Sequence, residues 1–266
     1  PIVSACFMRL YERGVFASLD APLSAYLPAF SRARLRVFTA TGGTVAAVRD
    51  ITLRMLLSHT SGLTYGDGDN PADDAIRAAD LVYPWYGGRN LQEYTDALAR
   101  VPLLFQPGAA WYYGASTDVL GRVLEVATNR SLKALLHAEV LGPLGMCDTR
   151  FGTSDTHGVD DGAGARYAWC KHATATTRTP PNTTAVSPLY EAVRGEAAEV
   201  EAHTLSAPAT APLYRLARET EHPLRPALLS AGHGLVSTAR DYRRFAAMLL
   251  RRGAMPPGTA EGRDGG

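Results

Sequence analysis

Apolar residues spaced three and four positions apart recur along most of this chain, and this spacing limits the possible folds more than any other feature. The first such face lies within residues 2–10 and is followed by Gly14, a residue typical of helix C-termini. The same spacing returns in residues 53–57, 91–100, 117–128, 132–140 and 242–249. We therefore predict a mostly helical chain whose helices pack on one another through their apolar faces.

Several of these segments are preceded by a residue whose side chain accepts hydrogen bonds from free backbone N–H groups at a helix start. These residues are Thr52, Asn90, Ser131 and Thr238. Asn90 is followed by Glu93, which completes a capping-box pattern. Ser116 is predicted to cap the 117–128 helix. Gly142-Pro143 is predicted to stop the helix that Ser131 begins.

Few segments carry the pattern of a strand. Residues 34–48 alternate in polarity around Thr41-Gly42-Gly43, which favours a short hairpin. Residues 64–89 are rich in Gly, Asp, Pro and aromatic residues, so we predict a loop with at most one helical turn.

The chain divides by composition. Residues 152–210 contain few large apolar side chains and predict a variable, partly disordered surface insertion. Residues 1–151 form the helical lobe, and 211–253 are a return segment and helix of the same domain. Residues 254–266 are predicted to be a flexible tail.

Charge and cysteine content exclude several classes of function. The net charge of +1 gives no basic field for nucleic acid, and no apolar run approaches the roughly 20 residues that span a bilayer. Cys6, Cys147 and Cys170 are far apart and odd in number, so we predict neither a disulfide framework nor a metal site from them. A reducing compartment, such as the cytoplasm, is mildly favoured.

Common catalytic motifs are absent from the sequence. There is no Gly-x-Ser-x-Gly, no phosphate-binding loop and no Gly-x-Gly-x-x-Gly. None of the seven histidines is spaced as His-x-x-x-His, so no metal and no cofactor is predicted. Ser-x-x-Lys, the acylation pair of penicillin-recognising enzymes, also does not occur.

Four segments in order resemble the serine β-lactamase-like family, which includes penicillin-binding proteins, D-aminopeptidases and β-lactamase-fold esterases. They are the opening 1–28, residues 51–63 (ITLRMLLSHTSGL), residues 107–121 (PGAAWYYGASTDVLG) and residues 230–242 (SAGHGLVSTARDY). The resemblance implies an α+β fold of the β-lactamase/transpeptidase type. This chain would supply its helical part, with most of the antiparallel sheet outside it.

The resemblance places the Ser-x-x-Lys pair directly upstream of Pro1 and the third family motif beyond Gly266. We therefore expect a fragment that lacks the nucleophile and is inactive alone. In the family, the tyrosine at the position of Tyr113 relays the proton of the nucleophilic serine and then protonates the leaving group. His59, by contrast, is expected to bond backbone in a tight turn rather than act as a base.

Substrate contacts are expected from Trp111, Ala115 and His233. Where lactam-hydrolysing members carry an asparagine that donates to the substrate amide, this chain has Ala115, which favours esters over amides. His233 stands where the family often has glycine.

The expected function is acyl transfer to water through a serine acyl-enzyme, with a small ester or amide as substrate. Two alternatives remain open: a non-catalytic paralogue or binding module, and an unrelated helical protein. The sequence does not predict an oligomeric state.

Overall fold

The computed structural model describes residues 1–82, 89–151, 190–192, 214–216 and 229–256. Its helices are α1 (Ile2–Glu12), α2 (Leu53–Leu57), α3 (Pro71–Ala78), α4 (Leu91–Leu98), α5 (Ser116–Thr128), α6 (Leu132–Leu136), α7 (Gly142–Leu144) and α8 (Ala239–Leu250). Short 3₁₀ turns occupy Leu23–Ala25 and Pro28–Phe30, and a π-helical turn, His137–Leu141, joins α6 to α7.

The strands form three antiparallel pairs of two strands each within the described ranges. They are β1 (Arg36–Phe38) with β2 (Thr44–Ala46), β3 (Arg150–Phe151) with β6 (Leu235–Val236), and β4 (Tyr190–Ala192) with β5 (Tyr214–Leu216). In the predicted hairpin, Val37 lies opposite Val45. The expectation of a mainly helical chain with few strands is confirmed for these residues.

Helix α5 lies at the centre of the molecule and contacts α1, α2, α4 and α6. Its Val119, Leu120, Val123 and Leu124 are almost completely buried, as is the inner face of α1 formed by Ile2, Val3, Cys6, Phe7 and Leu10. Gly121 is required here, because a Cβ at this position would lie 2.6 Å from the Cβ of Ala231. The apolar face predicted from the sequence therefore packs against residues 230–232.

The predicted helix starts are largely confirmed. The side chains of Thr52, Ser131 and Thr238 each accept a hydrogen bond from the third helical backbone N–H. Asn90 and Glu93 form a complete capping box. Because these bonds involve residues close in sequence, the local pattern was enough to predict them.

Three local predictions were wrong. Residues 71–78 form a two-turn helix rather than loop, because Asn70 caps the N–H groups of Ala72 and Asp73 while Pro71 begins the helix. Gly142-Pro143 starts α7 instead of ending the preceding helix, which turns only at Gly145 (φ +64°). Ser116 does not cap α5, because its hydroxyl bonds Ser61 (2.8 Å).

Of the predicted insertion 152–210, only β4 lies within the described residues. Most of the predicted tail 254–266 lies outside them as well. The division into helical lobe, insertion, return segment and tail therefore stays a prediction. None of the helices in the described ranges is long and apolar enough to cross a bilayer.

A buried carboxylate ties the first helix to the π-helical turn. Glu139 accepts hydrogen bonds from Arg9 (3.2 Å) and Arg13 (2.7 Å), and Arg130 lies 3.9 Å away. The side chains of Glu139 and Arg9 are only 7% and 12% exposed, whereas Arg13 is 46% exposed. The Glu139–Arg9 pair is thus the desolvated part of this cluster. Its loss should destabilise the protein more than the loss of the contacts from Arg13 or Arg130.

The cysteines differ from expectation at one position. Cys147 is disulfide-bonded, a bond that the spacing of the cysteines did not predict. Cys6 is a free and fully buried thiol in α1.

Cys6 should be inert in the native protein. Burial, reinforced by the carboxylate of Glu139, raises the pKa of the Cys6 thiol to about 12, so the reactive thiolate is scarce at pH 8. We expect iodoacetamide to leave Cys6 unmodified in buffer and to modify it fully in guanidinium chloride, as measured by mass spectrometry of its peptide. Rapid native alkylation of that peptide would contradict the burial of α1.

Candidate active site

Tyr113 stands in an irregular segment that leads directly into α5. Its side chain is 50% exposed, although Gly114 and Ala115, which follow it directly, are buried. The backbone N–H of Tyr112 donates to the carbonyl of His59 (3.0 Å), which fixes this segment against the end of α2. The phenol of Tyr113 is thereby presented at the surface from a rigid backbone.

Four rings form a continuous aromatic row: His59, Tyr113, Tyr65 and His233. Neighbouring ring centroids are 4.9 Å apart for His59 and Tyr113, 5.6 Å for Tyr113 and Tyr65, and 4.6 Å for Tyr65 and His233. All three pairs are tilted, an arrangement that aromatic rings favour over flat stacking. The row brings together two residues singled out from the sequence, Tyr113 and His233, which lie far apart along the chain.

The beginning of α1 lies near this row. The pKa of His59 is lowered chiefly by burial of its imidazole, and Pro1 at the start of α1 lies within electrostatic range of that ring. The Nδ1 atom of His59 is buried and has no hydrogen-bond partner among the described residues. His59 also has a positive φ of 54°, which fits a tight turn, but its Nδ1 does not make the predicted bond to the backbone.

Trp111 and Ala115 flank Tyr113 but differ completely in exposure. Trp111 is 65% exposed, so its indole is available to a ligand. Ala115 is fully buried, and its methyl group packs beneath the surface just before α5. A direct substrate contact from Ala115 stays a prediction; the structure shows its methyl group fully buried.

His233 lies in a turn that is anchored by its neighbours. Its backbone N–H donates to Ser230 Oγ (3.0 Å), and its exposed side chain contacts the Tyr65 ring at a tilt of 58°. Desolvation lowers the pKa of the imidazole, while the carboxylates of Asp118 and Asp67 act in the opposite direction. The imidazole is therefore favoured in its neutral form beside Tyr65.

Three residues at this site were missed by the sequence reasoning: Tyr65, Asp118 and Ser230. Asp118 is fully buried and accepts hydrogen bonds from Ser230 Oγ (2.7 Å), Tyr65 Oη (3.1 Å) and the backbone N–H of Gly232 (3.2 Å). An aspartate on the buried face of an apolar helix was the available signal, because carboxylates are rarely buried without partners.

A second buried carboxylate supports the loop below the row. Asp73 accepts hydrogen bonds from the backbone N–H of Gly66 (2.7 Å) and from Tyr112 Oη (2.9 Å). Ser61, also buried, bonds Ser116. These contacts give Asp73 and Ser61 structural roles, and Ser61 is too enclosed to act as a nucleophile.

No group of three or more His, Cys, Asp or Glu side chains suited to a metal ion occurs in the described part of the chain.

Comparison of the chain with models of known families identifies its family. The beta-lactamase family model matches residues 1–264 of the chain. The chain belongs to the beta-lactamase family.

Related family members include named esterases. The chain is 40% identical over 153 residues to esterase EstB of Burkholderia gladioli, a match that covers 57% of this chain and 36% of EstB. It is 29% identical over 164 residues to lovastatin esterase of Penicillium rubens, covering 56% of the chain and 37% of that enzyme. The chain therefore spans only part of the length of the relatives it matches.

Solved structures of the beta-lactamase family confirm the predicted fold class. EstCE1, a hydrolase with promiscuous acyltransferase activity, superimposes with a TM-score of 0.62 at 25% identity, covering 97% of this chain and 59% of EstCE1. A D-stereospecific amidohydrolase from Streptomyces shares the fold with a TM-score of 0.57 at 19% identity, over 97% of this chain and 60% of its own. The α+β fold of the β-lactamase/transpeptidase type is thus the fold of this chain.

Gly114 holds the Tyr113 segment tightly against the preceding loop. A Cβ at this position would lie 2.2 Å from the carbonyl oxygen of Leu63 and 2.7 Å from the Cα of Thr64, and backbone atoms cannot yield easily. We expect Gly114→Ala to lower the free energy of unfolding by about 1–3 kcal/mol, as overpacking does. Urea unfolding followed by circular dichroism measures this change. Ala110→Ser, an exposed change in the same segment, serves as the control, and equal stabilities for the two variants would contradict the tight packing.

Proposed function

We propose that the protein carrying these residues is a serine hydrolase that cleaves small-molecule esters through a serine acyl-enzyme. The observation that carries the proposal is the placement of Tyr113: an exposed phenol on a rigid backbone, in the aromatic row that lies beside the start of α1. Directly before that helix is where the family resemblance puts the Ser-x-x-Lys pair. The 266 residues contain no such pair, so the proposal requires a nucleophile from outside them.

The proposed reaction has two halves. The serine hydroxyl attacks the ester carbonyl while Tyr113 Oη accepts its proton, and the tetrahedral intermediate then expels the alcohol, which takes the proton from Tyr113. Water attacks the acyl-enzyme in the same way and releases the acid. A lysine ammonium beside the phenol would favour its anionic form and so its action as a base.

The preference for esters over amides is supported by Ala115. An asparagine side chain at this position would offer an amide donor, whereas the buried methyl group of alanine offers none. The relatives named EstB and lovastatin esterase support the same choice. We propose Trp111 and His233 as contacts to the acyl or alcohol part of the ester, because both side chains are exposed, Trp111 two residues before Tyr113 and His233 at the end of the aromatic row.

Fluorophosphonate labelling of the full-length protein tests the proposal. We expect one serine to be labelled, with hydrolysis of p-nitrophenyl butyrate lost in proportion. The isolated 266 residues serve as the control and should be neither labelled nor active. A full-length protein that is properly folded but takes no label would overturn the proposal in favour of a non-catalytic module.

A further inference from the structure

The three hydrogen bonds to Asp118 form a buried clamp, which we define as Asp118, Tyr65, Ser230 and Gly232. The carboxylate sits on the first turn of α5, and its donors come from two segments far away in sequence. No arginine or lysine of the described ranges forms an ion pair with it. The hydroxyl and N–H donors of the clamp therefore compensate the charge.

A clamp of this kind is costly if it only adds stability. Burying a carboxylate carries a desolvation penalty of several kcal/mol, and an apolar replacement of similar volume is often as stable. What a fully satisfied polar network provides is one fixed arrangement of the groups that it holds. The groups that the clamp holds in place therefore indicate its role.

The clamp holds the middle of the aromatic row. Tyr65 is 5% exposed, and its ring lies between those of Tyr113 and His233 while its hydroxyl is bound to Asp118. The backbone of Gly232 closes over it: a Cβ there would lie 2.3 Å from Tyr65 Oη and 2.8 Å from Asp118 Oδ2. Ser230 Oγ both donates to Asp118 and accepts from the N–H of His233, so the same carboxylate sets the turn that carries His233.

We propose that Asp118 is a positioning residue of the active site, whose carboxylate fixes the Tyr65 ring and the 230–233 turn as the wall beside Tyr113. This inference rests on the proposed esterase function. Asp118 touches neither the reacting atoms nor the surface; it acts through Tyr65 and Ser230. Displacing a reacting group by about 1 Å lowers turnover by roughly 10²-fold, which sets the size of the expected effect.

The test compares two buried aspartates in the full-length protein. Asp118→Ala removes the clamp, and Asp241→Ala is the control, because Asp241 is also fully buried. Asp241 accepts from the N–H of Asp148 (2.7 Å) and from Thr149 Oγ1 (3.0 Å) and pairs with Arg244 (3.4 Å), and none of these residues belongs to the aromatic row. Active sites are counted by fluorophosphonate titration, so that kcat refers only to folded enzyme. A purely structural aspartate lowers the number of active sites but leaves kcat for each of them unchanged.

We expect Asp118→Ala to lower kcat per titrated site by roughly 10²-fold, with a smaller change in KM, and Asp241→Ala to leave kcat unchanged. Asp118→Asn should recover most of the turnover, because its carbonyl can accept from Ser230 and Gly232 while its amide donates to Tyr65 Oη. Tyr65→Phe removes a single bond of the clamp and should lower kcat by less. It serves as the test if Asp118→Ala does not fold. A kcat per site equal to that of wild type in both Asp118→Ala and Tyr65→Phe would overturn the inference, as would Tyr65→Phe alone at wild-type kcat if Asp118→Ala does not fold.

A second readout separates this inference from the proposed function. In protein labelled with fluorotyrosine, the ¹⁹F NMR signal of Tyr113, assigned with Tyr113→Phe, should shift in Asp118→Ala and stay in place in Asp241→Ala. A protein that takes no fluorophosphonate but shows this shift lacks the proposed activity and keeps the clamp. An unshifted signal overturns the clamp as a device that positions Tyr113, whatever the activity.

Discussion

Replacing Tyr113 with phenylalanine should lower the turnover of the full-length enzyme by roughly 10²–10⁴, the usual contribution of a general base. The substitution removes only the hydroxyl, so the ring contacts with His59 and Tyr65 are kept. Stability should change little, because the side chain is 50% exposed. Steady-state hydrolysis of p-nitrophenyl butyrate, with active sites counted by fluorophosphonate, measures the effect.

The matched control is the neighbouring tyrosine. Tyr112 Oη is bound to Asp73 and supports the loop, so Tyr112→Phe should lower stability slightly and leave turnover per active site unchanged. Equal turnover in wild type and Tyr113→Phe would remove the phenol from the mechanism. Such a result would leave the family assignment intact, because that assignment rests on the whole of residues 1–264.

Glu139→Gln should be the most destabilising single charge change among the described ion pairs. Glutamine still accepts a hydrogen bond but leaves the guanidinium of Arg9, only 12% exposed, without a compensating charge. Removing one partner of a buried pair costs about 3–5 kcal/mol, and we expect about 3 kcal/mol because Arg13 and Arg130 can turn to solvent. Urea unfolding followed by circular dichroism gives the free energy.

An exposed pair provides the control for this experiment. Arg54 and Asp20 form a two-point ion pair at 2.7 and 2.8 Å, but their side chains are 57% and 63% exposed. Solvent screens such pairs, so Asp20→Asn should not measurably shift the unfolding midpoint. If Asp20→Asn destabilised the protein as much as Glu139→Gln, burial would not explain the contribution of the Glu139 cluster to stability.

The sequence predicted those parts of the fold that depend on neighbouring residues. Helix faces and caps are set by contacts within four positions, as at Asn90 with Glu93, and these were confirmed. Local patterns misled where a residue's partner was distant. Ser116 resembles a cap, yet its hydroxyl bonds Ser61, which packing brings alongside it.

The family and its expected tyrosine were also within reach of the sequence, because four segments in the right order are specific even when each alone is weak. The resemblance of these segments to the family indicated Tyr113, Trp111 and His233 as members of one site. Spacing along the chain could not show which of them would meet, nor that Ala115 would be buried. Proximity between distant segments depends on how α5 packs, and no local pattern encodes it.

The helical faces and the family resemblance that singles out Tyr113 could be read from the sequence alone, as could the fact that these 266 residues contain no Ser-x-x-Lys. The tertiary structure decided the rest of the site: Asp118 meets Ser230 across 112 positions of the chain, and Tyr65 becomes the ring between Tyr113 and His233. The physical reason is that a buried carboxylate must find its donors wherever the fold brings them. Those donors are hydroxyl and backbone groups that carry no signal of their own in a sequence.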